Sequence, residues 1–380
     1  VATGGADAGG SDLGHDRRAS MASVDDPHAP HLQGTAHPRR VMVLGATGSI
    51  GRATVAELLR RGHAVTCFVR ARGVERAPLP AGAELRFGEI TQPGAFARDG
   101  LRGEAFDVVL SCLASRTGAP RDAWAIEHDA QRAALDAARA AGVSHFVLLS
   151  AICVQRPRLG FQHAKLAFER ALVDSGLAWT IVRPTAFFKS LSGQVARVRD
   201  GRPFLAFGDG TLTACKPISD ADLAAFLADC IDDPARRDRI LPIGGPGPAI
   251  TPRDQAAMLG ELLGRPVRVR QVPVALLDAI IGVLGLLGRV VPRLADKAEL
   301  ARIGRYYATE SMLVFDPESG RYDAQATPST GRDTLREHYA RLLRGEVVDD
   351  RGEHAVFSDT ASTGRRWRRT RRARAPRPRD

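Results

Sequence analysis

The sequence predicts an α/β fold built on a doubly wound parallel sheet, and two observations carry that reading. The first is the stretch from Val41 to Arg61. Val41-Met42-Val43-Leu44 is an apolar run of the length of one buried strand. The turn Gly45-Ala46-Thr47-Gly48-Ser49-Ile50-Gly51 follows, and Ile50 to Arg61 then reads as a helix with Ile50, Val55, Leu58 and Leu59 inward. The second is alternation: short apolar runs and helical stretches take turns as far as Val182, which is the pattern of successive βαβ units.

Each later element follows from local pattern. Residues 64–70, 84–89, 107–112, 144–150 and 179–182 read as strands two to six. Between them, 93–98 starts a short helix, 121–141 reads as a long amphipathic one, and 159–175 is helical. After Arg183-Pro184 the pattern loosens. A helix at 219–232 opens on Ser219 as its cap, and 240–243 is a candidate seventh strand. Thr251-Pro252 begins another helix with a good cap and proline at its first position. Residues 267–272 read as a short strand and 331–344 as a last helix. The segment 273–292 is the most apolar, but its uncharged run between Asp278 and Arg289 is ten residues, too short for the roughly 20 that span a bilayer. It predicts a buried core helix first, and an interfacial helix at a greasy pocket or a membrane surface second.

Composition bounds the function. Of the net charge of +11, residues 365–380 supply +8 through nine Arg and one Asp, so the remaining chain is near neutrality. A nucleic-acid reading therefore has no support in the body of the protein. The five cysteines (67, 112, 153, 215, 230) are odd in number and scattered, without a CxxC pair. They predict a reducing, cytoplasmic setting with no disulfide framework and no metal site. No apolar leader run is visible near the start, and Met21 is a candidate initiator.

The glycine turn is the opening of a dinucleotide-binding unit. Gly45 permits the tight turn, Gly48 lets backbone N–H groups approach a pyrophosphate at the helix N-terminus, and Gly51 lets helix and strand pack closely. Thr47, Ser49 and Ile50 share that cradle. The spacing is GxxGxxG, and the strand before and helix after are the context the motif requires. At the end of the second strand stands Arg70, with Arg72 behind it and Arg52 just after Gly51. Basic residues there suit a 2′-phosphate, so NADPH is expected over NADH. Glu89 and Ile90 are placed near the adenine, Cys112 beside the riboses, and Ser150, Cys153 and Pro184-Thr185 toward the nicotinamide. Four segments result: a disordered extension (1–38), an NADP-binding Rossmann domain (39–245), a C-terminal substrate lobe (246–345) and a disordered basic tail (346–380).

Short-chain dehydrogenases pair a tyrosine with a lysine four residues on, and the tyrosine protonates a carbonyl oxygen. Here that place reads Phe161-Gln162-His163-Ala164-Lys165: the lysine is present and the tyrosine is not. The chain's four tyrosines (306, 307, 322, 339) all follow the sheet. Two classes remain: an NADP-binding regulator or assembly factor without turnover, or hydride transfer to an activated carbon–carbon double bond.

The turn GATGSIG, FQHAKLAFERAL (161–172), WTIVRPTAFFKSL (179–191), FGDGTLTACKPISDADLA (207–224), LPIGGPGPAITPRDQA (241–256) and ATESMLVFDPESGRYDAQATPSTGRDTL (308–335) together resemble the NADPH-dependent divinyl chlorophyllide 8-vinyl reductases. These are atypical, NmrA-like short-chain dehydrogenases, and the resemblance spans roughly 39–345. It implies reduction of the 8-vinyl group of a Mg-tetrapyrrole to ethyl, with NADPH as donor and a place peripheral to a photosynthetic membrane. It also makes the lack of the tyrosine expected. Phe161, Phe187, Phe188, Cys153 and Tyr306 then become candidate substrate contacts, and Lys165 a ribose ligand. Lys165, His163, Lys189 and Tyr306/Tyr307 stay open as proton sources beside water, and Lys189 alternatively as the partner of a pigment propionate.

Overall fold

The computed structural model describes residues 37–347 apart from Ala77 and Thr117. The disorder expected of residues 1–36 and 348–380 lies outside the described residues. The chain opens with β1 (Arg40–Leu44), α1 (Ser49–Arg60), β2 (Ala64–Val69), α2 (Ala71–Arg76) and β3 (Glu84–Phe87). It continues through β4 (Val108–Ser111), α3 (Pro120–Ala123), α4 (Gln131–Ala140), β5 (His145–Leu149), α5 (Gly160–Val173) and β6 (Ala178–Pro184). After α6 (Phe188–Leu191), α7 (Val195–Arg199), β7 (Phe204–Phe207) and α8 (Asp220–Asp232), the strand β8 (Arg239–Ile243) closes the main sheet. Its order is β3-β2-β1-β4-β5-β6-β8, parallel throughout. The chain winds outward from β1 in one direction and from β4 in the other, so the reversal lies between those two strands, where ligands bind in open α/β sheets.

The period-2 alternation of the strands feeds two cores. Val41 and Val43 of β1 pack with Leu58 of α1 and Leu223 and Leu227 of α8 on one face. Met42 and Leu44 pack with Leu135 of α4 and Phe168 and Leu172 of α5 on the other. The helix expected over 121–141 is interrupted. Between α3 and α4, Trp124–Ala130 forms a wider turn with one extra residue per turn.

Beyond the sheet come α9 (Pro252–Leu263), β9 (Val269–Val272), α10 (Val274–Gly288), α11 (Pro292–Thr309), the hairpin strands β10 (Val314–Asp316) and β11 (Arg321–Asp323), and α12 (Leu335–Arg344). Ser219, Thr251 and Thr334 cap α8, α9 and α12 by accepting from the backbone N–H three residues on. A separate core joins Phe188, Val195, Val198, Phe204 and Ala206 to Leu259, Tyr339 and Leu342, with β7 and β9 paired beside it. The expectation of a core helix at 273–292 is overturned: α10 has no buried residue. It packs on α11, and a Cβ at Gly288 would lie 2.8 Å from the Ala295 backbone nitrogen, so glycine permits the close crossing. The other side of α10 faces outward.

Candidate active site

The site is assembled at the carboxyl ends of β1, β2, β4, β5 and β6. Gly45 has φ of +72°, and a Cβ there would stand 2.4 Å from the carbonyl oxygen of Cys112. A Cβ on Gly51 would stand 2.2 Å from the Gly45 carbonyl oxygen. Both positions thus exclude any side chain, and the turn wraps tightly onto the start of α1. That helix has no side-chain cap and no acid in its first turn. Its positive end is left for an anion from outside, which fits the phosphates of a dinucleotide. Lys189, from α6, reaches across and contacts the hydroxyl of Ser49, the first residue of α1. Arg70 is exposed just beyond β2, a Cβ at Gly73 behind it would stand 3.2 Å from the Thr47 side chain, and Arg52 lies on the first turn and a half of α1. Glu89 and Ile90 follow β3, with Ile90 half-buried against the second core.

A buried polar cluster occupies the ends of β4 and β5. The Lys165 ammonium lies 2.7 Å from Oε2 of Glu127, with side chains 11% and 2% exposed. Glu127 Oε1 accepts from the Ser115 backbone N–H at 2.8 Å and from its hydroxyl at 3.1 Å. Glu127 had no place in the sequence reading. It sits in the wide turn 124–130, 38 residues before Lys165, and no local spacing joins the two. Next to this pair, Cys153 is buried and receives the Tyr307 hydroxyl at 3.8 Å from its sulfur. Phe161 is buried on Cys153, Ile152 and Ile303.

Four expectations are corrected. Tyr306, placed against substrate, is buried, and its hydroxyl donates to the carbonyl oxygens of Cys153 (2.9 Å) and Arg156 (3.1 Å). Both bonds fasten α11 to the end of β5, and burial pushes the phenol up to about 12. Phe188 is a core residue packed with Val195, Leu259 and Tyr339, tilted against His338 at 5.4 Å between ring centres. Phe187 remains half-buried beside Lys189. His163 is exposed, and residues two apart on a helix do not face each other, so it is turned from Lys165. The Ser150 hydroxyl donates to Glu169 Oε1 at 2.5 Å, and Glu169 also holds Arg183, so this hydroxyl braces α5 against β6. Pro184 is buried at the end of β6, paired with Ile243, and Cys112 is half-buried under Gly45.

A family described as NAD(P)H-binding matches residues 45–234. The divinyl chlorophyllide a 8-vinyl-reductase of Oryza sativa subsp. indica is 49% identical over 331 residues, 83% of this chain and 82% of its own. This chain belongs to the divinyl chlorophyllide a 8-vinyl-reductase family. The reductase of Arabidopsis thaliana is 46% identical over 82% of this chain and 79% of its own. Among solved structures, the NADPH-dependent quinone oxidoreductase QOR2 of Escherichia coli, complexed with NADPH, superposes with a TM-score of 0.56 at 21% identity. That match covers 80% of this chain and 99% of the other, and it shows a shared fold. In this chain the residue four positions before Lys165 is Phe161, not tyrosine.

Proposed function

We propose that this chain reduces the 8-vinyl group of divinyl chlorophyllide a to ethyl, with NADPH as reductant. The observation that carries the reading is near-half identity, over more than four fifths of both chains, to reductases named for that reaction. When bound, NADPH supplies the hydride. The protein's own residues divide the remaining work. The N-terminus of α1 and Lys189 take the phosphates; Arg70 and Arg52 take the 2′-phosphate. Glu89 and Ile90 bound the adenine, and Lys165, fixed by Glu127, meets the ribose hydroxyls with Cys112 alongside. Pro184, Cys153 and Phe161 form the wall behind the nicotinamide, and Phe187 offers an apolar flank to the macrocycle. The lobe beyond residue 245 covers the pigment.

Loss of the usual tyrosine suits this chemistry. Reduction of a vinyl group leaves no carbonyl oxygen to protonate, and charge on the inner carbon spreads into the conjugated ring. The setting is cytoplasmic and peripheral to a photosynthetic membrane. Among the described residues no helix is long and apolar enough to cross one. The test is to incubate purified protein with NADPH and divinyl chlorophyllide a. The expected product is heavier by two hydrogens, with a Soret band shifted slightly to the blue. No product, with NADPH binding intact, would leave a non-catalytic regulator of the same fold.

A further inference from the structure

We propose that Tyr307 is the proton donor of the reduction, doing from the C-terminal lobe what the tyrosine missing at position 161 does elsewhere. The inference rests on the vinyl-reductase reading and adds a catalytic residue to it.

The helix α11 is docked on the spot where the missing tyrosine would stand. Ile303 packs with Phe161, and a Cβ at Gly118 would meet its Cδ1 at 2.7 Å. Glu299 Oε1 lies 3.5 Å from the Gly160 backbone N–H at the start of α5. Tyr306 pins the helix by its two carbonyl contacts. The next residue, Tyr307, stands at 88° to the Tyr306 ring with 5.7 Å between centres. Tyr307 is 43% exposed, yet its hydroxyl turns inward to the sulfur of Cys153. A ring open on one side with its hydroxyl turned inward is the shape of a side chain that lines a cleft. Its polar partner is a thiol, a weak acceptor, so the phenolic proton is not committed to a strong bond.

The neighbours keep that proton in place. Burial first, then Cys153, Tyr306 and the Glu127 carboxylate hold the phenol well above its ordinary range, so the hydroxyl stays neutral until a stronger base arrives. A carbanion next to the macrocycle is such a base. Lys165 is less available, because its ammonium is held by Glu127. With hydride delivered to the terminal vinyl carbon, the π pair moves to the inner carbon and the ring. The O–H bond of Tyr307 breaks as a C–H bond forms at the inner carbon. The phenolate then regains a proton from water.

Three measurements test this. First, Tyr307→Phe should cut kcat by about 100-fold or more, with NADPH affinity within about two-fold of the parent. Second, Tyr307→Gly should be as slow and recover in added phenol but not in added benzene. Third, without cofactor, binding of the pigment followed by its Soret band should weaken by about five-fold in Tyr307→Gly and stay within about two-fold in Tyr307→Phe, because the ring seats the pigment and the hydroxyl does not. A Phe variant within about three-fold of the parent kcat overturns the assignment, and so does rescue by benzene as good as by phenol. A parent chain that binds NADPH but reduces no vinyl group fails the underlying reading instead, and that outcome is visible before any variant is made.

Discussion

His145 shows how a single side chain can make the fold sensitive to acid. It lies in β5, almost wholly buried, with Nε2 2.9 Å from the Thr180 hydroxyl. That hydroxyl donates to the Arg236 carbonyl oxygen, so Nε2 carries the hydrogen, and buried Nδ1 has no partner. Burial, reinforced by Arg237, lowers the imidazole from its ordinary 6.5 to about 4. The unfolded chain therefore takes up a proton near pH 6.5 while the native chain does not until about pH 4. The stability contributed by the neutral ring is whole above pH 6.5 and is lost as pH falls toward 4. The expected loss is about 1–3 kcal/mol. His63 and His338, also lowered by burial, act in the same direction. Urea unfolding at several pH values should give a shallower decline for His145→Gln than for the parent, whatever the offset at pH 7.5. Parallel curves would show that this ring is not what titrates.

Lys189 belongs to the scale of elements, because its contact joins α6 to the first residue of α1. A cation at a helix N-terminus is repelled by the positive end of the dipole, and the contact makes physical sense when an anion shares the place. Lys189→Ala should leave the melting temperature of the cofactor-free protein unchanged or slightly raised. It should weaken NADPH by about ten-fold, read by fluorescence titration. A variant with full NADPH affinity and a collapsed kcat would return Lys189 to the role of proton donor or pigment contact. The same scale explains what was legible beforehand. The β1–turn–α1 unit is written in local constraints, an apolar run and two glycines that tolerate no Cβ, and the caps at Ser219 and Thr251 are equally local. Glu127 was illegible because the wide turn 124–130 shifts the helical period on which any reading of faces depends. The helix α11 mixes charged and apolar residues without one apolar stripe, since it lies between α10 and the end of β5, so Tyr306 and Tyr307 were legible as candidates but not which of the two is buried. The β10–β11 hairpin has three residues per strand, too few to display alternation. For α10, apolar composition pointed to burial, but the helix has no buried residue, because only one of its sides packs on the rest of the chain.

At the scale of the whole molecule, the α10–α11 hairpin leaves an apolar surface exposed. Leu276, Ile280, Val283, Leu286, Leu287, Val290 and Val291 are exposed, reaching 83% at Val290. Together they make a patch that water-facing proteins rarely keep without a use. Asp278 near the start of α10 is paired to Arg305, and from Ala279 to Ala295 the charged residues are Arg289 and Arg293. The far end of the hairpin is therefore apolar and basic, which suits a membrane surface with anionic headgroups. At 15 residues, α10 is about 22 Å long, short of the roughly 30 Å hydrocarbon layer, so a contact with a bilayer would be made at the interface and not across it. The parent protein should pellet with vesicles that contain anionic lipid and less with neutral ones. Two aspartates, Leu286→Asp and Val290→Asp together, should reduce that partition by about ten-fold or more, given the apolar transfer energy of two aliphatic side chains. NADPH binding should not change, because both side chains are exposed on the hairpin and belong to none of the elements that form the glycine turn. If the double variant pellets like the parent, the patch is not the contact. If the parent fails to pellet and the variant instead loses pigment affinity in solution, the apolar face of α10 is a wall of the substrate cleft, and the hairpin serves the macrocycle in place of the membrane.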